Sequence, residues 1–146
     1  MPFALEQLTQ GLTVLGVLHS QNLAAGTDNS ITNIDFSKVQ RMLWIIDVGS
    51  VGASGTVDFK LQEAKTSGGA YQDIAGTAIT QVTASNKVVT VELRADQLDA
   101  GYRFVRHNLV IGTNAVQVCV LALGGEAEYK PAKSQDIAAV SQRLVL

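Results

Sequence analysis

Apolar and polar residues alternate most cleanly between Thr56 and Glu63. Val57, Phe59, Leu61 and Glu63 fall on one side, and Thr56, Asp58, Lys60 and Gln62 on the other. A period of two is the signature of a strand with one buried face. Lys65-Thr-Ser-Gly-Gly69 follows as a turn, and Tyr71–Ile74 reads as the short return strand. Val88–Arg94 repeats the pattern, with Val89, Val91 and Leu93 inward and Thr90, Glu92 and Arg94 outward. Two further runs are apolar on both sides. Gln40–Val48 sets Met42, Trp44, Ile46 and Val48 against Leu43 and Ile45. Ala115–Leu123 sets Val116, Val118 and Val120 against Cys119, Leu121 and Leu123. Such strands are central in a sandwich or covered by a partner.

The remaining segments carry weaker patterns. Leu12–His19 is predicted as the first strand, Gln21–Ser30 as a loop and Ile31–Phe36 as a short strand. Ala75–Asn86 is polar, with Ala78, Ile79 and Val82 tucked beneath it, and Ala95–Ala100 forms one helical turn ended by Gly101. In Tyr102–Ile111 the inward set passes from Tyr102 and Phe104 to Leu109 and Ile111, which predicts a bulge or a strand used on both faces. Gly124-Gly125 is expected to break the strand before it, with Glu126–Lys130 continuing at an edge until Pro131. About eight short strands with Gly and Asn turns, and no long helix, predict an all-β fold: an antiparallel β-sandwich or barrel, jelly-roll-like, with arms at both termini. The predicted organisation is an N-terminal arm or short helix over residues 1–11, a β domain over 12–131 and a C-terminal arm over 132–146.

Composition changes the picture in one respect. Charged residues make up 16% of the 146 and hydrophobic residues 47%, against roughly 25% charged in an average domain. Together with the two-sided strands, this predicts that another subunit covers part of the surface. The net charge of −2 offers no basic stripe for a phosphate backbone, so nucleic acid is not an expected partner. No run approaches the length of a membrane span. The first basic residue is Lys38, so the N-terminus lacks the positive start of a signal peptide, and the expected place of synthesis and action is the cytoplasm or a particle assembled there.

Candidate chemistry is sparse. His19 and His107 are the two histidines, with no carboxylate or cysteine at ligand spacing, so no metal and no cofactor is expected. The one cysteine, Cys119, lies in the most apolar strand, where a thiol is usually inert core; a Cys119–His107 dyad is conceivable only across neighbouring strands. Gly49–Gly55 resembles a phosphate loop but lacks the Lys-Ser/Thr pair and leads into a strand, so it is read as a hairpin loop. Arg94, Arg103, Arg106 and His107 form a basic cluster, read as solvated strand faces paired with Asp96 or Asp99. No catalytic residue is predicted.

Four phrases carry a resemblance. They are Val57-Asp-Phe-Lys-Leu-Gln-Glu-Ala64, Gly68-Gly-Ala-Tyr-Gln-Asp-Ile-Ala-Gly-Thr-Ala-Ile79, Asn86-Lys-Val-Val-Thr-Val-Glu-Leu-Arg94 and Gly101-Tyr-Arg-Phe-Val-Arg106. Together they resemble small virion structural proteins of tailed bacteriophages and prophages, over residues 40–131. The resemblance implies a non-enzymatic capsid decoration, or cement, protein. Such a protein is made in the host cytoplasm, binds the outside of the shell formed by the major capsid protein, and bridges capsomers. A head–tail connector or tail component is the alternative within that class, and a carbohydrate-binding β-sandwich the alternative outside it. The apolar excess adds an expected homotrimer or homodimer. Exposure logic places the contacts on the arms, at Leu5 and Leu8 and at Ile137, Val140 and Leu144.

Overall fold

A computed structural model describes residues 8–127, 139–142 and 144. A single helical turn, α1 (Leu8–Gly11), precedes nine strands: β1 (Leu12–Leu23), β2 (Gly26–Asp28), β3 (Ile34–Asp35), β4 (Val39–Val51), β5 (Thr56–Ala64), β6 (Gln72–Asp73), β7 (Lys87–Arg94), β8 (Phe104–Gly112) and β9 (Val116–Ala127). They form two antiparallel sheets packed as a sandwich, ordered β1-β9-β4-β7 and β2-β8-β5-β6, with β3 also paired to β8. With β2 and β3 taken as one interrupted strand, this is the eight-strand, two-sheet connectivity of a jelly roll. The expected all-β sandwich is therefore present, and the barrel is not.

The core is the space between the sheets. Met42, Trp44, Ile46 and Val48 of β4 and Val116, Val118, Val120 and Ala122 of β9 face Val57, Phe59 and Leu61 of β5 and Val105, Leu109 and Ile111 of β8. Trp44 lies 6.1 Å from Phe59 between ring centroids. Residues 74–82 run along the free edge of β5, where Val57 and Val82 exchange both backbone hydrogen bonds at 2.8 and 2.9 Å. This satisfies an edge that would otherwise expose unpaired donors and acceptors, and it brings Ile79 and Val82 against the core as the sequence predicts, whereas Ala78, predicted with them, is exposed.

Several local expectations are corrected. The first strand extends through polar residues to Leu23, and part of the predicted loop pairs as β2, because β9 and β8 supply partners that a sequence pattern cannot show. Gly49–Gly55 is not a hairpin loop: its first three residues still belong to β4, and residues 52–55 carry the chain from the first sheet to β5 in the second. Gly124 does not break its strand, since β9 runs on to Ala127; β1 pairs it as far as Gly125, beyond which it pairs with β4 alone up to Ala127, and residues 128–130 lie outside the described residues. A Cβ at Gly124 would stand 2.8 Å from Val39 Cγ1 and 3.0 Å from Leu15 Cδ1, so the glycine serves close packing, not a turn. The predicted change of phase in β8 is also absent. Val105, His107, Leu109 and Ile111 point inward without interruption, and His107 was the polar residue that disguised the pattern.

Candidate functional site on the outer face of the first sheet

The two sheets present unlike faces to solvent. On the second sheet the outward residues are mostly polar and tied to one another, with Val110 and Phe104, the latter under Arg103, the apolar ones on β8. Lys60 Nζ lies 2.7 Å from Asp73, and Gln62 Nε2 donates to the same carboxylate at 2.7 Å. Arg106 Nε donates to Gln62 at 2.8 Å, and its guanidinium stacks 4.2 Å from the Tyr71 ring centroid.

The first sheet is different. Its register aligns Val17, Leu121, Ile45 and Thr90 in one outward row across four strands, and Val14, Leu123, Leu43 and Glu92 in the next. Side chains opposite one another on a face lie about 5 Å apart, so these apolar groups make one continuous patch. Leu43 is 36% exposed and Ile45, Leu121, Leu123 and Val17 are half-buried. Across β1, β9 and β4 these two rows carry no charge; the one charge in them is Glu92, on the edge strand β7. Of the rows beyond, one holds Leu12, Gly125, Arg41 and Arg94, and the other holds Cys119, Asp47 and Val88, the last 62% exposed. Arg41 reaches Glu92 at 3.5 Å and Glu126 at 3.2 Å, and Arg94 reaches Asp96 at 3.1 Å. All of these pairs are solvent-exposed, where an ion pair is worth little.

The chemistry candidates are dispersed. Cys119 lies on the outer face of the first sheet, and burial, with the Asp47 carboxylate adding to it, pushes its thiol above the ordinary value. That is the reverse of a reactive cysteine. His107 is on the inner face of the second sheet, so the two do not form a dyad. The His107 ring is fully buried and its Nε2 stands 2.8 Å from Asp28 Oδ1. Burial lowers its pKa, and the Asp28 carboxylate only partly opposes this. Burial would raise Asp28, but hydrogen bonds from the Ser30 backbone and hydroxyl and from His107 outweigh it and hold the carboxyl below its usual range. The neutral ring therefore donates from Nε2. Its Nδ1, like Trp44 Nε1, is buried without a hydrogen-bond partner among the described residues. Nδ1 points into a core beside Trp44 and Phe59, not toward a substrate.

The predicted basic cluster is divided between faces. Arg94 belongs to the first sheet and pairs with Asp96, while Arg103 makes a two-pronged contact with Asp35 at 2.7 and 2.6 Å. No group of three or more metal-ligating side chains occurs among the described residues.

Of the arm positions, Leu8 is 79% exposed on α1, Leu144 is 76% exposed and Val140 is half-buried. Leu5 and Ile137 lie outside the described residues. The sequence pattern exposed the β4 and β9 shares of the apolar face. It missed the share of β1, because a register shift between Val14 and Gly16 breaks the alternation there. Comparison with family models, with curated proteins and with solved structures finds no match.

Proposed function

We propose that this chain is a non-enzymatic structural protein of a phage-type particle, bound to the outside of the capsid shell and bridging neighbouring capsomers. The observation that carries the reading is the outer face of the first sheet, apolar across β1, β9 and β4 while the second sheet's outer face is mostly polar. Covering such a face is worth about 25 cal/mol per Å² of apolar surface removed from water. A chain built this way gains by assembly. The four phrases of the sequence that resemble virion proteins add the kind of assembly. Jelly rolls serve capsids and lectins alike, so the fold supports the reading only by analogy.

The carbohydrate-binding alternative wants exposed aromatic rings. Among the described residues Trp44, Phe59 and Phe36 are core, and Tyr71, Tyr102 and Phe104 are stacked under Arg106, Lys65 and Arg103. A protein that binds only the assembled shell stabilises it by linkage, and a lattice multiplies weak single contacts.

The test is the copy number of this chain in purified particles, by quantitative mass spectrometry against the major shell protein. A ratio near one, or a simple fraction of it, supports a decoration role. A ratio of a few per cent moves the assignment to a connector or tail part. Absence from particles refutes the reading.

A further inference from the structure

We propose that the outer face of the first sheet is occupied by a second copy of the chain, packed face to face about a two-fold axis. The axis lies in the plane between the sheets, perpendicular to the strands, and passes between the Leu43 and Ile45 rows. This deepens the assembly reading above and rests on it only for the bridging role.

The argument is the symmetry of the face itself. An isologous interface must be self-complementary. An axis across the strands lays β4 over the partner copy's β4 and β9 over its β9, with the row order reversed. Leu43 then meets Ile45 and Leu123 meets Leu121, so the apolar rows cover one another. The charged rows, placed at opposite ends of the patch, exchange. Arg41 comes opposite Asp47, and on β7 Arg94, paired within its own chain to Asp96, comes opposite Val88. Glu92 faces the neutral Thr90. An axis along the strands keeps each row on itself, so it never brings Arg41 to Asp47, and run over β4 it sets Arg41 on Arg41 and Asp47 on Asp47. Aligned sheets cross at about 30°, which at the Arg41 row displaces the strands by roughly 5 Å, a distance an arginine side chain spans.

The area is sufficient. Four strands about 4.8 Å apart, over rows spanning some 27 Å, give about 500 Å² per copy. The total of about 1,000 Å² is the lower bound for a specific interface. The pair is therefore expected to form reversibly. A pair joined back to back turns its two polar second sheets outward. That gives one object with two identical contact surfaces, which is what bridging two capsomers requires.

The experiment is sedimentation equilibrium of the full chain over a concentration series, with circular dichroism confirming the fold of each variant. The wild-type mass should rise from 15.5 kDa toward twice that value. Leu121→Lys should hold it at the monomer, whereas Val110→Lys, outward on the second sheet, should leave the rise intact. Arg41→Asp and Asp47→Arg should each weaken pairing at least tenfold, and the two together in one chain should restore it, because each copy then carries both halves of the exchanged pair. A monomer at all concentrations, a trimer, a dimer indifferent to Leu121→Lys, or no rescue by the double exchange would each overturn the proposal. None of these results bears on whether the chain is present in particles, so the two readings fail separately.

Discussion

Titration of His107 should make the fold lose stability in mild acid. Its ring is fully buried between the sheets, beside Trp44 and Phe59, with Asp28 as its one side-chain partner. Burial sets its folded pKa below the ordinary 6.5. The sign follows from proton counting. Below pH 6.5 the unfolded chain takes up a proton at this site that the folded chain refuses, so stability is fully present above that pH and falls as pH drops. The steepest slope one such site can give is about 1.4 kcal/mol per pH unit, reached where the unfolded ring is protonated and the folded ring is not. Asp28 adds a second window. Its folded pKa lies below the ordinary 3.8, so its contribution persists above that value and is lost as pH falls through the folded pKa. The assay is urea unfolding at a series of pH values, for wild type and His107→Gln. The variant cannot titrate at this position, so its curve should flatten between pH 7.5 and 5.5 while keeping the steeper fall below pH 4. Equal slopes for the two proteins in the upper window would refute the reasoning.

Other expectations follow from the same packing. Trp44→Phe removes a buried indole N–H that has no partner among the described residues, so it should cost under about 1.5 kcal/mol, against about 3–5 kcal/mol for Trp44→Ala, by the same denaturant assay. Gly124→Val forces atoms into Val39 and Leu15 and should cost about 1–3 kcal/mol; Gly125→Val, whose Cβ meets only Leu12 Cδ2 at 3.7 Å, should fall well below that. Cys119 should alkylate more slowly in the folded protein than a free cysteine at the same pH, followed by mass spectrometry, because burial and Asp47 disfavour its thiolate.

The sequence was legible where one physical effect dominated. In β5, β7 and the inner rows of β4 and β9, burial of one face alone sets the alternation, and those strands fall where the pattern puts them. It was illegible where pairing, not burial, decides. Gly26-Thr-Asp28 has no apolar period and is a strand because β8 offers it hydrogen bonds. His107 spoiled the phase of β8 because a polar type occupies a core position, made tolerable by one carboxylate from β2. Gly124 looked like punctuation, but the reason for a glycine there is the approach of Val39 and Leu15, two side chains far away in sequence. For the candidate site, the both-face character of Gln40–Val48 and Ala115–Leu123 gave two of its strands. The contribution of β1 needed the register.

The low share of charge can now be located. A larger core would explain it only if the apolar residues were all inside. Instead, Val17, Leu43, Ile45, Leu121 and Leu123 remain on an outer face, while Lys60, Asp73, Gln62 and Arg106 are drawn together on the other. The deficit therefore belongs to one side of the molecule. A monomer under selection for solubility alone has no reason to keep that side apolar, since an outward position on a strand accepts Thr, Lys or Glu without disturbing the core, as Thr90 and Glu92 of β7 do on the same face. The charges at the two ends of the patch add direction to what would otherwise be a featureless surface. With Arg41 at one end and Asp47 at the other, a second copy in one orientation pairs these unlike charges and in the other leaves them apart. In the pairing we propose, the apolar rows would supply the affinity and the end charges the choice of geometry, the two properties a self-associating face needs.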